Sequence, residues 1–387
     1  MTITLADLPT PSLILDQRRL LNNIARMQAR ARELGVMLRP HLKTAKSAKV
    51  AELAVGKGGP LTVSTLAEAA YFARAGFTDI TYAVPMAPAK LPQAAAIMRD
   101  APGLKLITDN LDVARAVAEQ GRAQGVTFAV LIKIDCGLGR AGIAPDSDLL
   151  LPLAQALSQP GAKLAGVLTH AGHSYHAKSI PEIERIAEDE RQAVLLAAAR
   201  LRAAGHDCAI VSVGSTPTAL FARTLDGVTE MRPGNFVFFD LFQAGLGCCG
   251  MEDIAVSVLA SVVSHHHGRN HLLIDAGGLA LSKDTGANEH APGTGYGRVC
   301  RPDAALPLPG LAVHDVHQEH GLVGGAQAGP QSGPVDFAAH PAGSRLRVLP
   351  NHVCMTGAMY DRYHVIDGRT DGGSPVVVAE WDRVNGW

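Results

Sequence analysis

Short aliphatic runs recur along the first part of the chain, separated by longer stretches with helical spacing. The runs are 37–43 (MLRPHLK), 61–65 (LTVST), 79–84 (DITYAV), 104–108 (LKLIT), 127–135 (TFAVLIKID), 164–170 (LAGVLTH), 208–213 (CAIVSV) and 230–232 (EMR). Between them, Leu111, Val113, Ala114, Val117 and Ala118 lie on one helical face, as do Ile183, Ile186, Ala187 and Val194. Pro181 suits a first helical turn and Gly205 a helix stop. Strands alternating with helices predict a parallel sheet, and eight such units match a closed (β/α)₈ barrel of the TIM type. An open doubly wound sheet is the alternative.

The pattern changes after residue 247. Residues 254–263, 271–275, 345–349 and 375–381 read as strands, Gly and Pro crowd the turns, and no long helical period appears. A smaller, mainly β domain is expected there, with the Gly-, Ala- and Pro-rich stretch Gly324–Gly343 as a loop.

Composition narrows the class. Hydrophobic residues make up 47% of the 387 positions and charged residues 18%, enough apolar surface for a sizeable core. Lys+Arg 35 against Asp+Glu 36 gives a net charge of -1, which supplies no electrostatic reason for a nucleic-acid or acidic-membrane partner. No apolar run reaches a membrane span, and the first residues lack a basic segment followed by an apolar one. Six cysteines in so long a chain do not make a disulfide framework, so a reducing cytoplasm is the expected home.

Barrel active sites collect at the C-terminal ends of the strands. The first predicted strand ends in Arg39-Pro40-His41-Leu42-Lys43-Thr44, and a lysine there can form a Schiff base if burial lowers its pKa. The bland reading is a surface lysine. The fifth ends in Gly137-Leu138-Gly139-Arg140-Ala141-Gly142, formally a dinucleotide fingerprint, but Pro145 and two aspartates stand where a helix should open. A turn aiming Arg140 into the barrel mouth fits better. The sixth carries His170, His173 and His176 around Tyr175, a spacing that matches no standard zinc site. Gly214-Ser215-Thr216 and Gly234-Asn235 follow the seventh and eighth, where barrels commonly bind phosphate; tight structural turns are the alternative. In the β domain, His352 and Cys354 would share one face of a strand, and imidazole with thiolate suits Zn²⁺. A half-buried pair without metal has the same spacing. The triplet His265–His267, near a turn, reads as histidines facing solvent, and Cys248 and Cys249 read as core or near-core.

The segments RPHLKTAKS, IDCGLGRAG, LTHAGHSY, SVGSTPT, TEMRPGNFVFFD, IDAGGLALS, QEHG and LPNHVC occur in this order and cover nearly the whole chain. Together they resemble the pyridoxal-phosphate enzymes of fold type III, an alanine-racemase-like barrel followed by a β domain. Within that group the chain is most similar to D-serine and D-threo-3-hydroxyaspartate dehydratases, with D-threonine aldolases as near relatives. The resemblance implies a barrel over 11–246 and a β domain built from 1–10 and 247–387. It also implies pyridoxal phosphate on Lys43, Arg140 near the phenolic oxygen, and His41, His170 and Tyr175 around the ring. Gly214, Ser215, Thr216, Gly234 and Asn235 would hold the phosphate. His352 and Cys354 would hold a divalent metal, zinc first and Mn, Mg or Co as alternatives. The implied activity is elimination of water from D-serine, D-threonine or D-threo-3-hydroxyaspartate to a 2-oxo acid and ammonia, in a homodimer.

Related aldolases carry an aspartate at the second metal position, so Cys354 favours elimination over retro-aldol cleavage, for which His320 or a metal-bound water would be the base. A racemase would need a second base and no metal. A non-catalytic pyridoxal-phosphate carrier would not need the residues after the barrel, and a dinucleotide dehydrogenase ranks last. For a second substrate carboxylate, Arg39, Arg298 and Lys283 are all candidates.

Overall fold

The computed structural model describes residues 2–325 and 334–387. They form two compact units: one runs to Ala25 and resumes over Asn235–Asn385, and the other is Arg26–Gly234 with Gly386–Trp387. The chain opens with β1 (Ser12–Asp16), a strand of the first unit. The eight aliphatic runs then appear as β2 (Met37–Leu38), β3 (Leu61–Val63), β4 (Ile80–Pro85), β5 (Lys105–Thr108), β6 (Phe128–Lys133), β7 (Ala162–Leu168), β8 (Ile210–Val213) and β9 (Glu230–Met231). Every pairing among these strands is parallel, in the order β2-β9-β8-β7-β6-β5-β4-β3.

The two ends of that order meet just beyond β2. His41 bridges Thr62 of β3, the Thr62 N–H donates to Pro40 O at 2.9 Å, and Leu42 N–H returns a bond to Thr62 O at 2.8 Å. The barrel is therefore closed, and the open-sheet alternative falls. Ile107, Leu131 and Leu168 pack together from neighbouring strands. Helices fill the intervals, with caps where short polar side chains reach free N–H groups: Asn110 accepts from Asp112 and Val113, and Ser179 accepts from Glu182. The second of these helices spans Ile180–Ala203, with Pro181 in its first turn and Gly205 just past its end at φ +83°.

One end of the barrel is plugged by charge. Arg39 is 1% exposed; its Nε donates to Glu230 at 2.7 Å and its two terminal nitrogens donate to Asp79 at 2.8 and 3.0 Å. Lys105 reaches the same Asp79 at 2.5 Å. Asp79, Lys105 and Glu230 all lie at strand beginnings, so Arg39 serves the N-terminal end of the barrel. It is not available to a substrate carboxylate, because burial and paired carboxylates fix its guanidinium there.

The other unit is antiparallel apart from one pairing. After β9 come β10 (Val256–His266), β11 (His271–Ile274), β12 (Gly297–Cys300), β13 (Pro307–Val316), β14 (Gly321–Gly325), β15 (Arg345–Pro350), β16 (Arg362–Asp371) and β17 (Ser374–Asp382). Their order is β11-β14-β13-β12-β15-β10-β1-β16-β17, and β10 also pairs with β11, so β10 through β15 close on themselves as a small β-barrel. β1 lies between β10 and β16, parallel to β16. This insertion carries the N-terminal residues with it. Thr4 bridges Val376, and Leu5 and Leu8 pack on Ile14, Leu259 and Ile366.

The grouping thus extends beyond the expected 1–10 to Ala25, and the later boundary falls at Asn235 where 247 was expected. Sequence reading found β10, β11, β15 and β17 but missed β1, β12, β13, β14 and β16. The loop expected at Gly324–Gly343 begins inside β14; residues 326–333 lie outside the described residues. Among the described residues no helix is long and apolar enough to cross a membrane.

Replacing Glu230 by alanine leaves the buried Arg39 guanidinium short of a partner. Urea unfolding should show a loss of about 3–5 kcal/mol, whereas Arg115→Ala, which breaks an exposed pair with Asp112, should change stability by less than about 1 kcal/mol.

Candidate active site

At the opposite ends of the barrel strands lies a cavity of about 310 Å³. His41, Lys43, Ser64, Lys133, Arg140, His170, Gly214 and Arg232 contribute its polar wall, with Ala83, Val84, Pro85, Ala141 and Leu168 beside them. Among the described residues no carboxylate lines it. Lys43 follows directly on the barrel-closing segment, so main-chain pairing on both sides sets its backbone; its N–H donates to His41 Nδ1 at 3.4 Å.

The glycine-rich segment after β6 is a turn. Asp135 accepts the N–H groups of Gly137 at 3.0 Å and of Gly139 at 3.1 Å. The three glycines have φ of +112°, +70° and +113°, and a Cβ on Gly142 would come within 2.6 Å of the Asp135 nitrogen. Ile143 then pairs back onto Ile134. No helix opens there, the dinucleotide reading lapses, and Arg140 reaches the cavity as expected of the turn.

The turns after β7 and β8 are joined side to side. His170 Nδ1 donates to Gly214 O at 2.8 Å, and the Ser174 and Ser215 hydroxyls meet at 2.9 Å. Glu190, 2% exposed on the helix Ile180–Ala203, accepts from Ala171 N at 2.8 Å, Gly214 N at 3.1 Å and Thr218 Oγ1 at 2.8 Å. Ser215 caps the short helix Thr216–Phe221, and its own N–H donates to Thr218 Oγ1. The N–H groups of Gly214 and Ser215 are therefore engaged within the protein. Gly214 has φ +131°, and a Cβ there would lie 2.6 Å from the Arg232 nitrogen. Tyr175 is half-buried in the short turn Gly172–His176, and Ser215 and Thr216 are buried beside the cavity.

Gly234 packs on the main chain of the closing segment: a Cβ there would meet His41 O at 2.8 Å. Asn235 begins the other unit, where its amide donates to Asp240 at 2.6 Å. Sequence reading missed Glu190, Lys133 and Arg232. Glu190 had a usable signal, since it occupies the apolar stripe Ile183, Ile186, Ala187, Val194 of its helix.

Burial and clustered positive charge set the protonation of this wall. Burial, with Lys43, Arg232 and His170 nearby, holds His41 well below the usual imidazole range. Burial pushes His170 down to about 3, with the Gly214 carbonyl working against the shift and Lys43 and Lys133 adding to it. Lys133 falls to about 8 and Arg232 to about 10, again chiefly through burial. Arg232 donates to Ser212, Val213 and Thr169, which anchors the guanidinium in the barrel. Both imidazoles are neutral near pH 7.

The histidine–cysteine pair belongs to the β unit. It does not lie on a strand: β15 ends at Pro350, His352 is the N-cap residue of a one-turn helix, and Cys354 lies within Val353–Thr356. The same-face argument therefore fails, yet the turn still brings the two side chains together, and they hydrogen-bond. His352 Nδ1 contacts Asp284 Oδ2 at 2.8 Å. Asp240, fully buried, accepts from Val353 N at 3.0 Å and Gln243 N at 2.9 Å. Burial opposes the His352 imidazolium, but the Cys354 sulfur and the Asp284 and Asp240 carboxylates outweigh it and push His352 up to about 11. Among the described residues no group of three or more His, Cys, Asp or Glu side chains converges as a metal cage.

Lys283 and His320 are exposed in this unit. The Arg298 Nε is buried with no partner among the described residues. The His265 Nε2 donates to the His340 carbonyl at 2.7 Å. No disulfide joins any of the six cysteines.

Comparison with known proteins gives two family matches: the alanine racemase N-terminal domain over residues 15–241, and a putative serine dehydratase domain over residues 255–366. Over 391 aligned positions the chain is 46% identical to a D-threo-3-hydroxyaspartate dehydratase from Delftia sp. (strain HT23), covering 100% of both chains. It is 33% identical to a D-serine dehydratase from Dictyostelium discoideum, covering 93% of this chain and 94% of that one. Among solved structures, a cysteine-to-alanine variant of a D-threo-3-hydroxyaspartate dehydratase, in the metal-free form, superposes with a TM-score of 0.92 at 44% identity over 100% of each chain.

The depressed pKa of His170 makes stability depend on pH in a defined direction. The folded state binds this proton later than the unfolded state does, so the contribution is complete above pH 6.5 and is lost as pH falls from there toward about 3. Urea titrations should show wild type losing up to about 1.4 kcal/mol per pH unit relative to His170→Gln below pH 6.5, with no such divergence between pH 7 and 8.

Proposed function

We propose that this chain, which belongs to the family of the alanine racemase N-terminal domain, is a dehydratase dependent on pyridoxal phosphate and a divalent metal. Its reaction is the removal of water from a D-β-hydroxy amino acid to give a 2-oxo acid and ammonia. The observation that carries this reading is full-length similarity to a D-threo-3-hydroxyaspartate dehydratase in a chain whose Lys43 amine opens into a cation-lined cavity. D-threo-3-hydroxyaspartate is the first substrate to expect and D-serine the second.

The residues present fit both groups. The cavity volume suits a small cofactor, and its walls carry Lys133, Arg140 and Arg232 without a facing carboxylate. His352 has its Nδ1 tied to Asp284, which directs Nε2 away from that bond, and Cys354 adds a thiolate. Nitrogen and sulfur donors favour zinc. With two protein ligands, the remaining positions are left to water or substrate.

When bound, the pyridoxal ring supplies an electron sink for charge developing at Cα, and the metal supplies a Lewis acid for the departing β-hydroxyl. Lys43 is the attachment point, and its amine is the base that takes the Cα proton. Arg140, Lys133 and Arg232 hold anionic ligand in place by charge. His41 and His170 stay neutral and act by packing and hydrogen bonding. The turn at Gly214–Thr216, with Gly234, would hold the phosphate; the Gly214 and Ser215 N–H groups are themselves engaged by Glu190 and Thr218. Asp284 orients His352. Six cysteines with no disulfide among them support a reducing, cytoplasmic setting, and a homodimer is the assembly we expect.

Incubation with D-threo-3-hydroxyaspartate should release ammonia and oxaloacetate in equal amounts; glycine and glyoxylate without ammonia would instead mean retro-aldol cleavage. Lys43→Ala should lose the visible absorbance of a lysine-bound cofactor and fall in turnover by at least roughly 10³-fold. A chelator should abolish activity in wild type, with zinc restoring it. Cys354→Ala should need a metal concentration at least about tenfold higher for half-saturation, read by equilibrium dialysis.

A further inference from the structure

Glu190 is a buried carboxylate that the proposed chemistry does not use. It projects from the apolar stripe of the helix Ile180–Ala203 and is 2% exposed. One oxygen accepts the N–H of Ala171 at 2.8 Å and of Gly214 at 3.1 Å; the other accepts the Thr218 hydroxyl at 2.8 Å. A single side chain therefore spans two turns that sequence places 44 residues apart, between His170 and Gly214. A buried carboxylate on an otherwise aliphatic stripe costs desolvation, and three hydrogen bonds offset that cost.

Both peptides flanking Gly214 are held by this clamp, since the Gly214 N–H donates to Glu190 and the Ser215 N–H donates to Thr218 Oγ1, itself a donor to Glu190. With its N–H drawn to Glu190, the Gly214 residue presents its carbonyl to His170 Nδ1 at 2.8 Å. A carbonyl only accepts, so Nδ1 carries the proton and the neutral ring keeps its lone pair on Nε2. The Ser174–Ser215 hydroxyl contact closes the same seam. The carboxylate also sits near Lys133 and Arg232 and favours their charged forms.

We propose that Glu190 is the positioning residue that fixes the His170 ring and the Gly214–Thr216 turn relative to each other, and so sets the preference for a phosphorylated cofactor. This rests on the pyridoxal-phosphate reading of the cavity. Glu190 itself does not touch the cofactor; it acts through the two turns. Shortening it by one methylene retracts the carboxylate by about 1.5 Å and separates the turns while keeping the charge. Glutamine keeps an acceptor for both N–H groups and can still hydrogen-bond Thr218.

The test is titration of full-length protein, stripped of cofactor, with pyridoxal phosphate and with unphosphorylated pyridoxal, followed by absorbance. Glu190→Asp should narrow the affinity ratio between the two by roughly tenfold or more, and Glu190→Gln should keep it within about threefold of wild type. Leu201→Ala, a cavity-forming change on the same helix away from both turns, should leave the ratio unchanged. The ¹⁵N shifts of His170 should report the Nδ1-protonated ring in wild type and Glu190→Gln, and a mixture of ring forms in Glu190→Asp. An unchanged ratio in Glu190→Asp, or an equal narrowing in Leu201→Ala, overturns the inference; should Glu190→Asp not fold, a tenfold loss of the ratio in Glu190→Gln does the same. Failure of wild type to bind pyridoxal phosphate at all would instead overturn the cofactor reading.

Discussion

β2 has two residues, so the parallel barrel closes through the segment that follows it, where Arg39 and His41 donate to Met231 and Pro233 on one side and Thr62 donates to Pro40 and accepts from Leu42 across the other. Each main-chain bond is worth about 1 kcal/mol net, and a strand this short has few of them. The Arg39 guanidinium compensates from inside, tying the segment to Glu230 and Asp79 at the beginnings of β9 and β4. The consequence lies four residues beyond Arg39: Lys43 leaves the barrel at a height and direction set by pairing on both flanks. A lysine on a free loop would have the same chemistry and none of this placement.

The longer parallel strands, such as β5, β6 and β8, were legible because they are largely buried and so read as aliphatic runs. Two of the missed strands, β13 and β16, have the opposite property. β13 starts at Pro307 and contains Gly310 and Pro309, and β16 ends in the exposed polar stretch Gly368–Asp371, so their period of two is diluted by turn residues and charge. β1 is fully buried but only five residues long and follows a Pro-rich start, which reads as a linker until its partners β10 and β16 are known. Pairing with strands more than two hundred positions away leaves no local trace.

The candidate site divides along the same line. Lys43, His41, Arg140 and His170 were legible because they end predicted strands, and strand ends are where barrel side chains converge. Arg39 misled for the same reason: it adjoins those residues in sequence, but its side chain lies among groups at the opposite strand ends. His352 and Cys354 were identified through the wrong geometry. Alternation along a strand predicted a shared face, whereas an N-cap residue and the second residue of the helix it starts meet by the tightness of a turn. Asp284 and Glu190 act by hydrogen bonding to groups remote in sequence, and such partners cannot be read from spacing.

The charge distribution constrains how protons can move in the cavity. Its wall brings two imidazoles among three cations, Lys133, Arg140 and Arg232, in addition to Lys43. Imidazoles ordinarily titrate near neutrality and serve as acids or bases. Here burial and the cations hold both in the neutral form, His170 down to about 3, and a base that weak would lose its proton back to most substrates. An imidazolium formed there would also stand beside fixed positive charge. The cavity thus assigns its histidines to shape and hydrogen bonding; in the proposed reaction the base is the amine of Lys43, which is exposed. Glu190, placed beneath the wall and hydrogen-bonded three times, supplies compensating negative charge without entering the cavity as a competing base.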